Sequence, residues 1–193
     1  MISIIDYGAG NLKSVKNALD YFGVENRISD KPEEILKSER LILPGDGSFG
    51  FMMNCLQNKK LIGPIKGFIK SGKPFLGICL GLQGLFDSSE ESPGIKGLGI
   101  FKGKVVKFNE GKIPQIGWNK IIPKNKALFK NEYVYFVNSY YVVPEDKSII
   151  AALTDYNGLF VSAIRFENVT AVQFHPEKSG YPGLKIIQRW LEC

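Results

Sequence analysis

The segment Lys73-Pro-Phe-Leu-Gly-Ile-Cys-Leu-Gly-Leu-Gln83 decides the fold. Its first half is a short apolar run, which is typical of a buried strand. The run passes through Gly77-Ile-Cys79-Leu-Gly81 into residues with a helical apolar pattern. A strand that turns sharply into a helix around a cysteine between two glycines is the G-x-C-x-G form of the nucleophile elbow. The segment therefore predicts both an α/β fold and a reactive cysteine.

The chemistry of such a turn explains its residues. Side chains at the two glycines would collide with neighbouring strands, and the turn lifts the Cys79 sulfur clear of the sheet to the start of a helix. There the helix dipole favours the thiolate over the thiol, and the N–H of Leu80 can face a developing oxyanion. Cys55 and Cys193 are not in such a glycine-flanked turn, so we interpret them as the small apolar fillers that free cysteines usually are.

Strands and helices alternate through the first half of the chain, which predicts a mostly parallel central sheet with helices on both faces. We predict strands at 2–5, 24–28, 41–43 and 73–78, and helices over 12–22, from 32, over 49–56 and over 61–69. Asn11 can cap the first helix, and Gly23 lies just past its end.

The second half has short β-branched and aromatic runs, which predict antiparallel strands added to that sheet. They lie at 104–108, 117–122, 133–137, 149–153, 160–165 and 170–174, and a closing helix is predicted over 182–191. Because no repeat or linker interrupts the chain, residues 1–193 are predicted to form a single domain.

Composition excludes several classes of protein. The net charge of +6 comes from scattered lysines, which indicates a solvated basic surface rather than a nucleic-acid patch. Three cysteines without a CxxC pair and a single histidine predict a reducing, cytoplasmic setting without structural zinc. No signal sequence or run of ~18 apolar residues is present, so we expect no membrane span. We expect no metal and no cofactor.

The only histidine, His175, ends an apolar run and is followed two residues later by Glu177. In an extended segment both side chains would leave the same side, which suits a base with an orienting carboxylate. Any Cys–His catalysis in this chain must use His175.

The segments Gly77–Gln83 and Phe174-His175-Pro-Glu177-Lys-Ser179 resemble the triad-type glutamine amidotransferases. The resemblance covers the whole chain and implies a flavodoxin-like fold, with a central mostly parallel sheet and an added antiparallel portion. It also implies that Cys79 attacks the carboxamide of glutamine, His175 passes the proton to departing ammonia and Glu177 orients the imidazole.

The same resemblance implies roles for further residues. These are Leu80, Gly45, Asp46 and Gly47 for the oxyanion, Gln83, Glu91, Ser139 and Tyr140 for glutamine, and Asn11, Trp118, Asn119 and Tyr135 for the partner interface. Glu91 would meet the α-ammonium of glutamine, and the loop glycines would let a peptide flip when a partner binds.

Free ammonia is mostly protonated at neutral pH and then no longer nucleophilic, which is a physical reason for a partner and a tunnel. The segments Ile5–Ser14, Pro44–Phe49, Gly117–Asn119 and Phe136–Tyr141 are similar to those of family members that form a heterodimer with a (β/α)8-barrel cyclase subunit in histidine biosynthesis. That similarity implies a cyclase partner that receives the ammonia.

Three residues depart from the histidine-pathway pattern. Gln115 and Asn138 stand where histidine is usual, and Asp46 stands where a small apolar residue is usual. One alternative is therefore a related glutaminase that supplies ammonia to a sugar amidotransferase in surface-glycan synthesis. A non-catalytic flavodoxin-like binding protein is another, against which the triad argues, and Gln83 with Glu91 argues against a plain cysteine hydrolase.

Overall fold

The computed structural model describes residues 1–193, in twelve strands and six helices. The strands are β1 (Ile2–Ile5), β2 (Asn26–Ser29), β3 (Arg40–Leu43), β4 (Phe75–Ile78), β5 (Ser88–Ser89), β6 (Gly103–Lys107), β7 (Gln115–Pro123), β8 (Tyr133–Asn138), β9 (Tyr140–Pro144), β10 (Ile150–Asp155), β11 (Leu159–Phe166) and β12 (Val169–Val172). The helices are α1 (Leu12–Tyr21), α2 (Pro32–Lys37), α3 (Phe49–Asn58), α4 (Ile62–Lys70), α5 (Leu80–Gln83) and α6 (Gly180–Leu191).

Five parallel strands form the centre of the sheet in the order β2-β1-β3-β4-β12. The antiparallel strands β11, β10, β7 and β8 extend it, while β9 pairs with β11 and with β6. The predicted α/β architecture is thereby confirmed.

One strand of the prediction is wrong in direction. The strand predicted over 170–174 among the antiparallel additions is β12, which ends at Val172 and pairs in parallel with β4. All four of its residues are buried, as expected of a strand covered on both faces. A run of apolar residues does not encode strand direction, because direction depends on how the chain returns to the sheet. The prediction also missed β9 and the two-residue β5.

Helices cover both faces of the parallel sheet and produce two apolar cores. On one face, α2, α3 and α4 contribute Ile35, Leu56 and Phe68. On the other, α1 and α6 contribute Leu19 and Trp190. The predicted Asn11 cap and the left-handed Gly23 are confirmed, since Asn11 Oδ1 accepts from Ser14 N–H and Gly23 has a φ of +65°. None of the helices has both the length and the apolar character needed to cross a bilayer.

The carboxyl ends of the central strands meet at one edge of the sheet. Tyr7 follows β1, the loop Pro44–Gly47 follows β3, Cys79 follows β4 and His175 follows β12. In open α/β sheets this edge is where ligands bind, next to the point at which strand order reverses. Here that point lies between β1 and β3.

Candidate active site

Cys79 lies in a strained turn between β4 and α5. Its φ is +55° and its ψ −108°, a conformation that costs an L-residue about 1–3 kcal/mol unless the surroundings impose it. The helix that follows, α5, is a single turn. The carbonyls of Gly84 and Leu85 instead accept from the N–H groups of Leu98 and Ile100, so the helix cannot continue.

Close backbone approach explains the two glycines of the elbow. A Cβ at Gly81 would lie 2.0 Å from the carbonyl oxygen of Leu43 on β3. A Cβ at Gly77 would lie 2.6 Å from the carbonyl oxygen of Gly81 and 3.1 Å from the Ala171 side chain on β12. The expected collisions of side chains at these positions are therefore confirmed.

His175 and Glu177 form a buried pair, with 2.8 Å between Nδ1 and Oε1. They do not lie on one extended segment, as the spacing suggested, because Pro176–Lys178 forms a 3-10 turn. That turn is closed by the His175 carbonyl, which accepts from the Lys178 N–H and from Ser179 Oγ. The turn brings the carboxylate to the imidazole by folding the chain back.

Burial by itself lowers the pKa of His175, but interactions with Cys79 and Glu177 outweigh it and raise the pKa to about 10. The neighbouring sulfur and carboxylate therefore favour the protonated form of the imidazole. This arrangement can hold an imidazolium beside a nucleophilic sulfur.

A residue that we did not single out in the sequence also contacts the sulfur. Gln173 is fully buried and its Nε2 lies 3.6 Å from Cys79 Sγ. Its Oε1 accepts from Gln83 Nε2 at 3.1 Å. Gln173 stands two residues before His175, and that spacing on a strand end could have indicated that both side chains face the same way.

A cavity of about 140 Å³ opens above the sulfur. Its lining contains Cys79 and six residues that the sequence predicted for the oxyanion or for glutamine, together with neighbours on the strands. The lining residues are Gly47, Cys79, Leu80, Gln83, Glu91, Pro114, Val137, Asn138, Ser139 and Tyr140.

Within this cavity Glu91 is tied to the start of α3. Its Oε2 accepts from the Phe49 N–H at 2.6 Å, while Oε1 has no partner in the protein. Gln83 is almost fully buried, and its Oε1 likewise has no partner. Both residues thus present unpaired acceptors at the cavity.

The loop after β3 is held by a tyrosine hydroxyl. Asp46 N–H donates to Tyr7 Oη at 3.0 Å, and Tyr7 Oη in turn lies 3.2 Å from the Asp46 carbonyl oxygen, to which it can donate. Asp46 Oδ2 accepts from the Asn11 N–H at 2.7 Å. Burial raises the pKa of Tyr7 well above its usual value, so the hydroxyl stays neutral. The N–H of Gly45 and that of Gly47 have no acceptor in the protein, and only Gly47 reaches the cavity.

The residues predicted at a partner interface divide into two groups. Trp118 and Tyr135 face each other across β7 and β8 with 6.0 Å between ring centroids, and Trp118 is half exposed. Asn119 lies on the same strand with its side chain on the opposite face. Asn11 lies apart from them at the start of α1, where it contacts Asp46.

Two of the three departures from the expected pattern lie beside the cavity. Gln115 and Asn138 are opposite each other on β7 and β8, and both are buried. Asn138 Nδ2 donates to the Tyr140 carbonyl, whereas both polar atoms of the Gln115 amide lack partners. The third departure, Asp46, anchors the loop described above.

The sequence family described as glutamine amidotransferase class-I matches residues 3–192. A Pyrococcus furiosus protein named imidazole glycerol phosphate synthase subunit HisH is 49% identical, over 98% of this chain and 97% of that protein. The protein of that name from Methanocaldococcus jannaschii is 48% identical, over 100% and 99%. An Arabidopsis thaliana protein named imidazole glycerol phosphate synthase hisHF, chloroplastic, is 43% identical, over 99% of this chain and 34% of that protein.

Solved structures share the fold at much lower identity. A crystal structure of a glutamine amidotransferase superposes with a TM-score of 0.81 at 18% identity, over 99% of this chain and 97% of that one. The structure of PurLQS from Thermotoga maritima gives a TM-score of 0.78 at 21% identity, over 99% and 97%.

Proposed function

Because this chain belongs to the class-I glutamine amidotransferase family, we propose that it is the glutaminase subunit of an imidazole glycerol phosphate synthase, acting in histidine biosynthesis. It hydrolyses glutamine to glutamate and ammonia. Relatives at 43–49% identity over nearly the whole chain carry that enzyme's name.

The placement of Cys79 is the observation that supports nucleophilic catalysis. The sulfur lies in a strained turn beside a buried His175–Glu177 pair, at the base of a cavity with unpaired acceptors. A cysteine that served only as core filler would not need this geometry.

In the proposed reaction the thiol proton of Cys79 passes to His175, and the resulting thiolate attacks the carboxamide carbon of glutamine. The protonated His175 gives its proton to the departing ammonia, and the thioester remains on the sulfur. His175 then takes a proton from water as the water attacks the thioester, which releases glutamate. Glu177 holds the imidazole in the orientation that presents Nε2 to the sulfur.

Two backbone donors suit the developing oxyanion. The Leu80 N–H begins a helix and has no intrahelical acceptor, and the Gly47 N–H is unpaired at the cavity. The Gly45 and Asp46 peptides belong to the same loop, but the Asp46 N–H must leave Tyr7 before it can contribute. Loss of one such donor typically costs about 10²–10³ in kcat.

Four residues bind glutamine in this proposal. Glu91 Oε1 is the acceptor for the α-ammonium, and Gln83 Oε1 is a second acceptor for a substrate N–H. Ser139 and Tyr140 form the opposite wall of the cavity.

The partner in this proposal is a (β/α)8-barrel cyclase subunit that receives ammonia through a tunnel, in a cytoplasmic heterodimer. An exposed apolar strip on β7 and β8 supports such docking, because Ile116 and Trp118 are 60% and 52% exposed beside Tyr135. Exposed aromatic side chains of this kind are enriched at protein interfaces. The strip adjoins Val137 at the cavity, and Asn11 connects α1 to the loop of the oxyanion site.

Glutamate release measured with different partners tests the proposal. The chain is assayed alone, with the cyclase subunit and its nucleotide substrate, and with a sugar amidotransferase from the same genome. We expect low release alone and strong stimulation by the cyclase only. Stimulation by the sugar amidotransferase alone would assign the ammonia to surface-glycan synthesis, and no release under any condition would refute a glutaminase.

A further inference from the structure

Two buried amides connect the cavity to the nucleophile. Gln83 Nε2 donates to the Tyr140 carbonyl oxygen at 3.1 Å and to Gln173 Oε1 at 3.1 Å. Gln173 Nε2 then lies 3.6 Å from Cys79 Sγ, within hydrogen-bonding distance for sulfur. Gln173 is 0% exposed and Gln83 is 3% exposed, so no bulk water competes for these bonds.

The orientation of both amides follows from one backbone group. A carbonyl oxygen can only accept, so Gln83 must turn its Nε2 toward Tyr140. The second N–H of that nitrogen needs an acceptor, and Gln173 must therefore present Oε1 to it. Gln173 Nε2 is left facing the sulfur, and Gln83 Oε1 is left without a partner on a residue that lines the cavity.

The bond from Gln173 discriminates between the two states of the sulfur. A hydrogen bond to an ionised acceptor is roughly twice as strong as one to a neutral acceptor, so the Gln173 N–H favours the thiolate. The Val137 carbonyl oxygen, 3.9 Å from Sγ, has the opposite preference because it can only accept from a thiol. Gln173 is the uncharged donor that offsets it.

From this geometry, and resting on the proposed function, we infer that Gln173 is a further catalytic residue. The Gln173 amide stabilises the Cys79 thiolate. The strength of its hydrogen bond to the sulfur depends, through Gln83, on whether the glutamine site is occupied. A substrate N–H that bonds Gln83 Oε1 polarises that amide and strengthens its donation to Gln173, which strengthens the bond to sulfur. The thiolate is thereby most stable when the cavity is occupied.

Titratable groups surround the sulfur on several elements. They are His175 with Glu177 after β12, Tyr7 after β1, with Asp46 of the loop after β3 bound to its hydroxyl, and Glu91 after β5. Gln173 does not titrate. Its replacement should move the midpoint of thiolate formation without adding or removing a titration step.

The test is a pH titration of the Cys79 thiolate by its ultraviolet absorbance, with the Cys79→Ser curve subtracted to remove other groups. The full-length chain is compared with Gln173→Met, which keeps the length of the side chain but has no donor. We expect the midpoint to rise by about one pH unit, equivalent to about tenfold less thiolate below it. Gln83→Met should shift it in the same direction by a smaller amount.

The relay is tested by adding glutamate, the unreactive product, to each sample. Bound glutamate adds a carboxylate that raises the midpoint in both proteins by charge repulsion, and the hydrogen bonds through Gln83 and Gln173 should make this rise smaller in the wild-type chain than in Gln173→Met. An equal rise in the two proteins would exclude the relay. Thr154→Val is the matched control, because Thr154 is fully buried on β10 with an unpaired hydroxyl and does not contact the site. Its titration should match the wild type with and without glutamate.

An unchanged midpoint in folded Gln173→Met would overturn the inference while leaving the proposed function intact. Absence of glutamate release with every partner would refute the proposed function without affecting the titration. If Gln173→Met does not fold, Gln173→Asn retains an amide that is one methylene too short, and the same rise of the midpoint is expected. A wild-type midpoint in that variant would count against the inference.

Discussion

His175 is the only histidine of the chain, and it lies between a thiol and a carboxylate. Because its pKa is raised to about 10, above the ordinary 6.5, the folded protein binds the proton more tightly than the unfolded chain does. The stabilisation from this pair is therefore complete below about pH 6.5 and is lost as the pH rises through about 10.

Because the chain has one histidine, proton NMR can measure the pKa of His175 directly. In the wild-type chain we expect no titration of His175 between about pH 5 and pH 8. In Cys79→Ala the interaction with the sulfur that raises the pKa of His175 is lost, so the midpoint should fall by about one unit or more. An equal midpoint in both proteins would show that Cys79 does not hold the proton on His175.

Replacing the nucleophile tests the reaction at the same scale. Cys79→Ser should reduce partner-stimulated glutamate release by about 10⁴-fold or more, because a hydroxyl is a far weaker nucleophile in this setting. The melting temperature should change little, since the two side chains differ by one atom. Undiminished turnover would exclude Cys79 as the nucleophile, and Cys55→Ser, outside the site, is the control.

At the scale of elements, the elbow depends on contact between backbones. Gly81→Ala would place a Cβ 2.0 Å from the Leu43 carbonyl oxygen, and neither backbone can move cheaply. We expect the free energy of unfolding to fall by about 3 kcal/mol, measured by urea denaturation.

Gly67→Ala is the matched control for this substitution. Gly67 lies within α4, and a Cβ built there would make only an ordinary 3.5 Å contact with the Leu36 side chain. The variant should be more stable by about 0.4–1 kcal/mol, because alanine reduces the entropy of the unfolded chain and favours helix. Equal effects of the two substitutions would show that the elbow is not tightly packed.

The loop after β3 depends on Tyr7, whose hydroxyl holds both the N–H and the carbonyl of Asp46. Tyr7→Phe removes both hydrogen bonds, worth about 0.5–1.5 kcal/mol each. The Asp46 peptide can then turn its N–H toward the sulfur. We expect glutamate release without a partner to rise by about 3- to 30-fold. Tyr21→Phe, on the exposed face of α1, should leave it unchanged. A fall in activity would mean that Tyr7 supports the oxyanion site instead.

At the scale of the whole molecule, the apolar strip on β7 and β8 is joined to the triad. The His175 N–H donates to the Tyr135 carbonyl at 2.9 Å, and the Tyr135 N–H donates to Ser179 Oγ at 2.9 Å. A partner that packs on Trp118 and Tyr135 could therefore shift the backbone segment that contains His175.

Trp118→Ala tests this face. Loss of a buried aromatic anchor typically costs about 2 kcal/mol or more, so affinity for the cyclase subunit should fall about 30-fold. Titration calorimetry measures the affinity, and the melting temperature of the free chain should not change because Trp118 is half exposed. Leu159→Ala, 63% exposed at the start of β11, is the control. Equal affinity of Trp118→Ala and wild type would place the partner elsewhere.

The sequence alone was sufficient for the fold class and for the elbow. Both follow from patterns a few residues long: alternating strand and helix periods, the glycines around Cys79, and the Asn11 cap. The direction of β12 and the single turn of α5 did not follow, because hydrogen bonds to distant segments decide them. Similarity to known proteins, rather than pattern, suggested the roles of Gln83 and Glu91.

What only the tertiary structure decided is which polar atoms meet. Gln173 and Cys79 are 94 residues apart in the chain, and Tyr7 and Asp46 are 39 apart. A local sequence pattern cannot predict contacts between such residues, because they lie far apart in the chain and meet only when the strands pack together. The sequence by itself determined that a nucleophilic cysteine stands at the end of a parallel strand. The packed sheet decided which amide, hydroxyl and carbonyl surround it, because those distances exist only after the strands align.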